Sequence, residues 1–468
     1  MSGSWRVLEF APESFGAELF ALCRDVPLLD HLLCRLDELH NPILAEDRVL
    51  RNHQRDLAMQ GWFEIRLPQA GVALRSVHSV MLEDKTVFFS VQGRPDIVLA
   101  GARVGFTHPL CSVVLPRHRV VVHVQGGHWN VDAAAAERAV ALLAARGADG
   151  AEPLAPVLVT GDVNYAHHVW NQLGALEAVL ARCARVTVLA THQPIAPLTA
   201  IFDNHSGLAV TAVVPRDLPN LDPRRVLPFA AGGKVVSRTV RDRIRRVADQ
   251  RASRGVREFL ARTQSVPLIW LSVRLRDRTA TNMLDALIAI GEALLREDNA
   301  GLVIDGFSRP NDYATNRGYD RAANERTIAQ EQAFAHALVA QLAARLGASV
   351  AERIFMGIGC DLLDSIHLAA HCRAYFAHHG TLQHKIGYFT KVPGLVHSNP
   401  AILATDRAGT HLHVIEDPGV VEYIDTTLVA DAPGPTGQPM QPFNNYRFTD
   451  IPRLVAVLRD FLARQEIR

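Results

Sequence analysis

The sequence predicts an α/β protein: two Rossmann-like lobes facing a cleft, preceded by a β-containing N-terminal region. Three observations predict it. From residue 155 onward, short apolar runs alternate with helical periodicity, the pattern of parallel sheets covered on both faces. That alternation occurs twice in series, and two such halves imply a cleft between them. Between residues 72 and 124 the pattern is different, with β-rich runs separated by Gly, Pro and charged turns. The 468 residues are too many for one ordinary domain. The expected division is 1–155 as a mixed N-terminal region, 156–260 as a first lobe, 261–431 as a second lobe, and 432–468 as a linker with a bracing C-terminal helix.

In the N-terminal region, residues 18–39 have helical spacing, with Phe20, Leu28, Leu32 and Leu36 on one stripe. The runs VFFSV, DIVLA, CSVVL and RVVVHV follow as strands, and Gly126-Gly127-His128-Trp129-Asn130 breaks the last of them. Residues 134–145 form an alanine-rich helix, ended by Arg146-Gly147. PVLVTG, residues 156–161, opens the first lobe as a buried strand. Residues 169–183 are helical, with Leu173, Leu176, Val179 and Leu180 aligned, and RVTVLA is the next strand. PLTAIF and LAVTAVV supply further strand or helix pieces. Residues 238–257 are basic, but Asp242, Asp249 and Glu258 match the arginines, as on a solvated helix linking the halves.

The second lobe begins with PLIWLSVRL. Helices are expected at 282–296, 321–346 and 362–371, and strands at 301–305, 351–358, 374–377 and 411–416. Residues 432–443 read as a Pro/Gly-rich linker. Thr449-Asp450 caps a final helix whose apolar face is Leu454, Val455, Val457, Leu458 and Leu462.

Composition narrows the function. The chain is 48% hydrophobic and 21% charged, which is globular, and its net charge of +1 argues against nucleic acid or an acidic polymer as partner. No apolar run spans a bilayer, and the N-terminus carries acids where a signal peptide carries bases. A cytoplasmic protein is expected, with peripheral membrane association left open. The six cysteines form no CxxC and read as small buried residues in a reducing compartment. The 21 histidines include no HExxH, and no DxD lies at a convincing strand end, so neither a metal nor a separate cofactor is expected. GxGxxG after a strand, GxxxxGK[ST] and GxSxG are all missing, which argues against an ordinary NAD site, P-loop chemistry and a hydrolase elbow.

Three constellations fall at the carboxyl ends of expected strands, where open α/β sheets bind ligands. The first runs from Gly161 to Asn171. His167 and Asn171 are four apart and share a helical face. A neutral His167 there suits a general base; Asp162, Asn164, Tyr165 and His168 belong to the same turn. The competing reading makes His167 and His168 capping groups facing water. The second is Ser272 to Arg278. Extended alternation puts Arg274, Arg276 and Arg278 on one side, where guanidinium forks match phosphate oxygens. A surface Arg–Asp loop is the alternative. The third is the donor-rich turn His378-His379-Gly380-Thr381 with Gln383, His384 and Lys385. Asp305 or Asp364 are candidates for ribose hydroxyls, and Asp364 equally for a helix cap.

These residues resemble the GT-B glycosyltransferases, and more closely glycosyltransferase family 61, which includes plant xylosyl- and arabinosyltransferases and the EGF-domain O-GlcNAc transferase. Asn164-Tyr165-Ala166-His167 matches that family's N-Y-x-H, but Asn171 stands where the family has aspartate, which moves the expected base to His167, with Asp162 second. His379-Gly380-Thr381 matches its H-G-A, with threonine for alanine. The resemblance covers residues 157 to the C-terminus. It implies inverting, metal-independent transfer from a nucleotide-diphosphate sugar to a hydroxyl of a saccharide or glycoprotein acceptor, as in polysaccharide biosynthesis. It also implies an acceptor-side first lobe and a donor-side second lobe. Competing expectations are a heptosyl- or fucosyl-type transferase, a nucleotide-sugar epimerase, a saccharide-binding member without turnover, and a subunit of a polysaccharide assembly machine.

Overall fold

The computed structural model describes residues 4–12, 16–39, 53–103, 110–124, 130–145, 154–222, 224–276, 278–405, 414–432 and 444–467. The expected strand break at 126–129, the helix stop at Arg146-Gly147, Asp277, the start of the strand at 411–416 and the linker at 433–443 lie outside these residues. The chain divides into two compact units, Met1–Gln193 with Leu198–Val235, and Pro194–Pro197 with Val236–Arg468.

The described residues of the first unit form two sheets. Strands β1 (Arg6–Glu9), β2 (Glu64–Leu67), β3 (Val72–Met81), β4 (Val87–Val91), β5 (Arg94–Ala100), β6 (Ser112–Leu115) and β7 (Val120–His123) form one, in the order β1-β7-β6-β5-β4-β3-β2. It is an antiparallel meander except for the parallel edge pair β1–β7. The expected helix at 18–39 is two helices, Ala17–Asp25 and Leu29–Leu39, separated at Pro27-Leu28, where Leu28 takes φ +71°. That break re-aims the stripe: Leu32 and Leu36 are buried, but Phe20 is 57% exposed. The second sheet contains β8 (Ala155–Thr160), β9 (Val186–Ala190), β10 (Leu208–Ala212) and β11 (Val226–Ala230), all parallel, in the order β10-β9-β8-β11. Ser79 Oγ in β3 donates to the Pro228 carbonyl of β11 at 2.6 Å, tying the two sheets together.

The second unit is built on β12 (Leu268–Ser272), β13 (Gly301–Asp305), β14 (Ile354–Met356), β15 (Ala374–His378), β16 (Gly394–His397) and β17 (Val421–Tyr423). All are parallel, and their spatial order is β14-β13-β12-β15-β16-β17. This is the doubly wound Rossmann order, so connections run one way from β12 and the other way from β15. Alternation explains both buried faces. Ile269, Leu271, Leu302, Ile304 and Phe376 enter one core with helices Met283–Arg296, Arg321–Leu346 and Ile451–Arg464. Leu268, Trp270, Val303, Tyr375 and Ala377 enter the other, with helices Arg254–Arg262 and Leu362–His371. The final helix starts at Asp450, whose side chain accepts from Arg453 N at 2.9 Å. Residues 414–416 make only an isolated bridge, Ile415 with Val236, so the strand expected there is absent among the described residues. Strands β16 and β17, which sequence periodicity did not single out, carry that edge of the sheet. Each is only three or four residues long, too short for a periodic signal. Among the described residues, no helix is long and apolar enough to cross a membrane.

Candidate functional site

In the second unit the order of strands reverses between β12 and β15, and ligands bind outside the carboxyl ends at such a point. The segment after β12 carries Arg274, Arg276 and Arg278; the one after β15 carries His379 and Gly380. Ser272, the last residue of β12, accepts from the His378 backbone N–H at 2.8 Å, which sets the two strand ends side by side. The arginine segment is held from outside the sheet. Asn445 Oδ1 accepts from Thr279 N (2.9 Å), and Tyr446 N donates to the Thr279 carbonyl (3.0 Å).

The expected row of three arginines does not form. Beyond Ser272 the chain leaves the strand, and Arg278 takes φ +59°, so period-two alternation no longer applies. Arg274 and Arg278 both act on His378 and Tyr446. Arg276 is exposed over the Phe307 ring, 5.8 Å from its centroid, on the β13 side.

His378, which the sequence placed only in passing, is central. It ends β15 with no solvent exposure, beside His397 of β16 in direct register. The two rings meet edge to face, with centroids 5.7 Å apart. His378 Nδ1 donates to the His379 carbonyl at 2.6 Å, which leaves the lone pair on Nε2. Burial, then Arg274, His397 and Arg278, hold its imidazole well below its ordinary range. The Nε2 atoms of His378 and His397 and the Ser398 hydroxyl are buried and have no hydrogen-bond partner among the described residues. His397 Nδ1 bonds Tyr446 Oη at 2.5 Å. Unsatisfied buried polar groups are costly, and several at one strand end mark a place built for a ligand or water. His397 and Tyr446 were missed because β16 and the short antiparallel pair β18 (Val429–Asp431) and β19 (Tyr446–Phe448) carry no period of their own.

Gly380 takes φ +103°, a conformation that side chains resist, and a Cβ there would face open space. His379 Nδ1 bonds Tyr423 Oη at 2.9 Å, His384 stacks on Tyr388 with centroids 4.3 Å apart, and Thr381 opens the helix Thr381–Gly387. Gln383 is buried, and its carbonyl oxygen accepts from Tyr423 Oη at 3.5 Å.

Three expected ligand contacts prove internal. Lys385 is buried and spends its ammonium protons on Asp305 Oδ2 (2.6 Å), the Gly306 carbonyl (2.5 Å) and Ser308 Oγ (2.9 Å). Asp305 has no exposure, and its other oxygen accepts from Ser365 Oγ at 3.1 Å. Asp364 accepts from the Ser253 backbone N–H at 2.7 Å and so fastens the start of the helix Arg254–Arg262. None of these presents a free edge to a ribose or phosphate, because each is consumed by the fold.

The first unit has a polar cluster of its own at the carboxyl end of β8. Gly161 takes φ +110°, and a Cβ there would lie 2.3 Å from His192 N, so only glycine fits. Asn164 caps the helix Tyr165–His167, accepting from Ala166 N at 3.0 Å, and half-buried Tyr165 follows it. The chain then forms a π-helix, His168–Leu173, a rare element often found at functional sites. Asn171 Nδ2 donates to the Gly233 carbonyl at 3.0 Å, which turns its Oδ1 towards His167 Nδ1 at 3.2 Å. His167 therefore carries its proton on Nδ1 and its lone pair on Nε2. Burial lowers its basicity, and Asp162 and Asn171 partly oppose that. Asp162 accepts from Asn164 N at 2.8 Å. His168 turns inward instead: it is buried, and its Nδ1 bonds Gln172 Oε1 at 2.9 Å. That oxygen also accepts from Gly161 N at 2.9 Å. A residue with no sequence signal completes the cluster. Lys85, in the turn between β3 and β4, is buried and donates to the Gly161 carbonyl beside Asp162.

The buried imidazoles make a pH prediction. Burial pushes His397 down to about 3, and His378 is also strongly lowered. Below about pH 6.5 the unfolded chain binds protons at these residues and the folded chain does not. Stability is therefore full above that pH and falls below it, by up to about 1.4 kcal/mol per pH unit for each histidine. Urea midpoints measured at pH 7.5, 6.0 and 5.0 should fall steadily; a flat profile would mean these rings reach solvent.

Comparison with known proteins finds no family model and no curated protein that matches the chain. Solved structures do align. ADP-heptose lipopolysaccharide heptosyltransferase II of E. coli is 12% identical, over 66% of this chain and 99% of its own, with a TM-score of 0.32. The MnaA–UDP complex of S. aureus is 13% identical, over 64% and 76%, with a TM-score of 0.25. The UDP-GlcNAc 2-epimerase of Methanocaldococcus jannaschii is 12% identical, over 72% and 84%, with a TM-score of 0.26. The family 61 resemblance has no counterpart among these three.

Proposed function

We propose that the chain is a glycosyltransferase that moves a sugar from a nucleotide-diphosphate sugar to an acceptor hydroxyl, with inversion and without a metal. The observation that carries this reading is the strand-order reversal between β12 and β15, with Arg274, Arg278 and buried neutral His378 gathered at it. A diphosphate offers several anionic oxygens to two guanidinium forks, and its leaving charge would be stabilised there. Gly380 leaves the opposite wall open to a ligand's close approach. In the first unit, His167 takes the acceptor proton at Nε2, oriented by Asn171. This gives a task to the residue that departs from the family 61 motif: an amide oxygen fixes the same tautomer that a carboxylate would.

The test is thermal unfolding of the full chain with UDP, GDP, CMP and dTDP sugars. One nucleotide class should raise the melting temperature, since ligand at about 100 times Kd adds about 2.7 kcal/mol. No shift with any of them would overturn the proposal.

A further inference from the structure

The helices Arg238–Arg251 and Leu362–His371 pack against each other in the second unit, away from the carboxyl ends of its strands. Asp364 meets Ser253 N (2.7 Å) and His367 lies against Asp249 (3.6 Å), so the helices run antiparallel. His371 therefore lies towards the amino end of β15, which starts three residues later. Between the helices is a cavity of about 340 Å³. Ile366 and Ala370 line it together with Arg245, Arg246, His367 and His371, of which Arg246 also has a partner within the protein.

The charge here is uneven. Residues 238–257 contain eight arginines and two aspartates, in a chain whose net charge is +1. Both aspartates border the cavity, but each has another partner. Asp242 lies 3.8 Å from Arg238 and 4.0 Å from Arg241, and Asp249 lies 3.6 Å from His367 Nδ1. Arg245 is exposed and makes no ion pair among the described residues. His371 Nδ1 donates to the His367 carbonyl at 2.9 Å, which leaves Nε2 for a ligand on the ring's far side. The two imidazoles are one helical turn apart, with centroids 4.6 Å apart.

We propose that this groove binds a small phosphate ester, at a site separate from the nucleotide crevice. Two adjacent guanidiniums supply donors from one helix to the three terminal oxygens of a phosphate monoester, and each imidazole on the other helix adds an Nε2–H donor when it is protonated. The volume is at the lower end for ligand pockets, which suits a phosphate on a short polyol and excludes a dinucleotide. A metal ion is the wrong occupant. Among the described residues no three His, Cys, Asp or Glu are placed to hold one, and the arginines repel a cation. The same phosphate chemistry is found on soluble metabolites and on lipid headgroups.

The test uses the full chain, the double substitution Arg245→Gln/His371→Gln, and Arg274→Ala. Both groove residues are exposed, so the fold should survive, as circular dichroism would verify. Glycerol 3-phosphate is titrated calorimetrically, and sedimentation is compared with phosphatidic-acid and phosphatidylcholine vesicles. The groove variant should bind the phosphate probe at least about tenfold more weakly, a loss of about 1.4 kcal/mol. Arg274→Ala should bind it like the wild type. Binding only to phosphatidic-acid vesicles, lost in the groove variant, identifies a lipid source; binding only to the soluble ester identifies a metabolite. The proposal is overturned if neither probe binds, if the groove variant binds unchanged, or if Arg274→Ala alone abolishes binding.

Discussion

Lys385→Met should destabilise the second unit by about 3–5 kcal/mol, because it leaves a carboxylate buried without its partner. Asp305 sits at the end of β13 with no solvent exposure, and Lys385 Nζ lies 2.6 Å from its Oδ2. Burial raises the Asp305 carboxyl, and Lys385, Ser365 and Gly306 oppose that shift. Methionine keeps the volume of the lysine stem and removes only the charge. The Gly306 carbonyl and Ser308 hydroxyl lose their donor at the same time. The double substitution Lys385→Met/Asp305→Leu should recover much of the loss, since it removes both desolvated charges. Trp270, fully buried in β12, is the second unit's only tryptophan and reports its unfolding in urea. A single-variant loss below about 1 kcal/mol would mean that water reaches the pair.

Arg274→Ala and His167→Ala should separate binding from turnover. Arg274 is half-buried beside His378 and Tyr446, so its loss should weaken nucleotide binding by about 100-fold, near 3 kcal/mol. His167→Ala should leave nucleotide affinity within about twofold and lower turnover by about 10²–10⁴-fold. Arg276→Ala is the internal control. Its side chain is exposed over Phe307, so its effect should stay within about 0.5 kcal/mol. Calorimetric titration of the nucleotide that shifts the melting temperature, together with product formation, checks all three. Equal loss of binding in the arginine and histidine variants would make His167 a donor ligand and end its assignment as base.

Much of the candidate site was legible in the sequence because strand ends are punctuated. Gly161 and Gly380 both mark places where a buried strand stops in a conformation that side chains avoid. The His167–Asn171 contact was also legible, since residues four apart on a helix are neighbours whatever the rest of the fold does. The arginines after β12 were legible as a set but not in their arrangement. Periodicity describes a regular strand, and this segment bends where Asn445 and Tyr446 hold Thr279. Lys385 looked like a phosphate ligand because sequence shows a charge without showing what answers it; its partner is 80 residues away. Lys85 gave no signal for the same reason, since its acceptor lies 76 residues further on.

By itself, then, the sequence determined the α/β class, the course of the longer strands and helices, and the turns at which polar groups cluster. Those follow from short-range forces: apolar period, capping and glycine conformation. Only the tertiary structure decided the strand order β14-β13-β12-β15-β16-β17, and with it which polar groups are consumed by one another and which are left at the strand ends. Strand neighbours are chosen by packing and hydrogen bonds between segments up to about a hundred residues apart in the chain, and no local pattern encodes that choice.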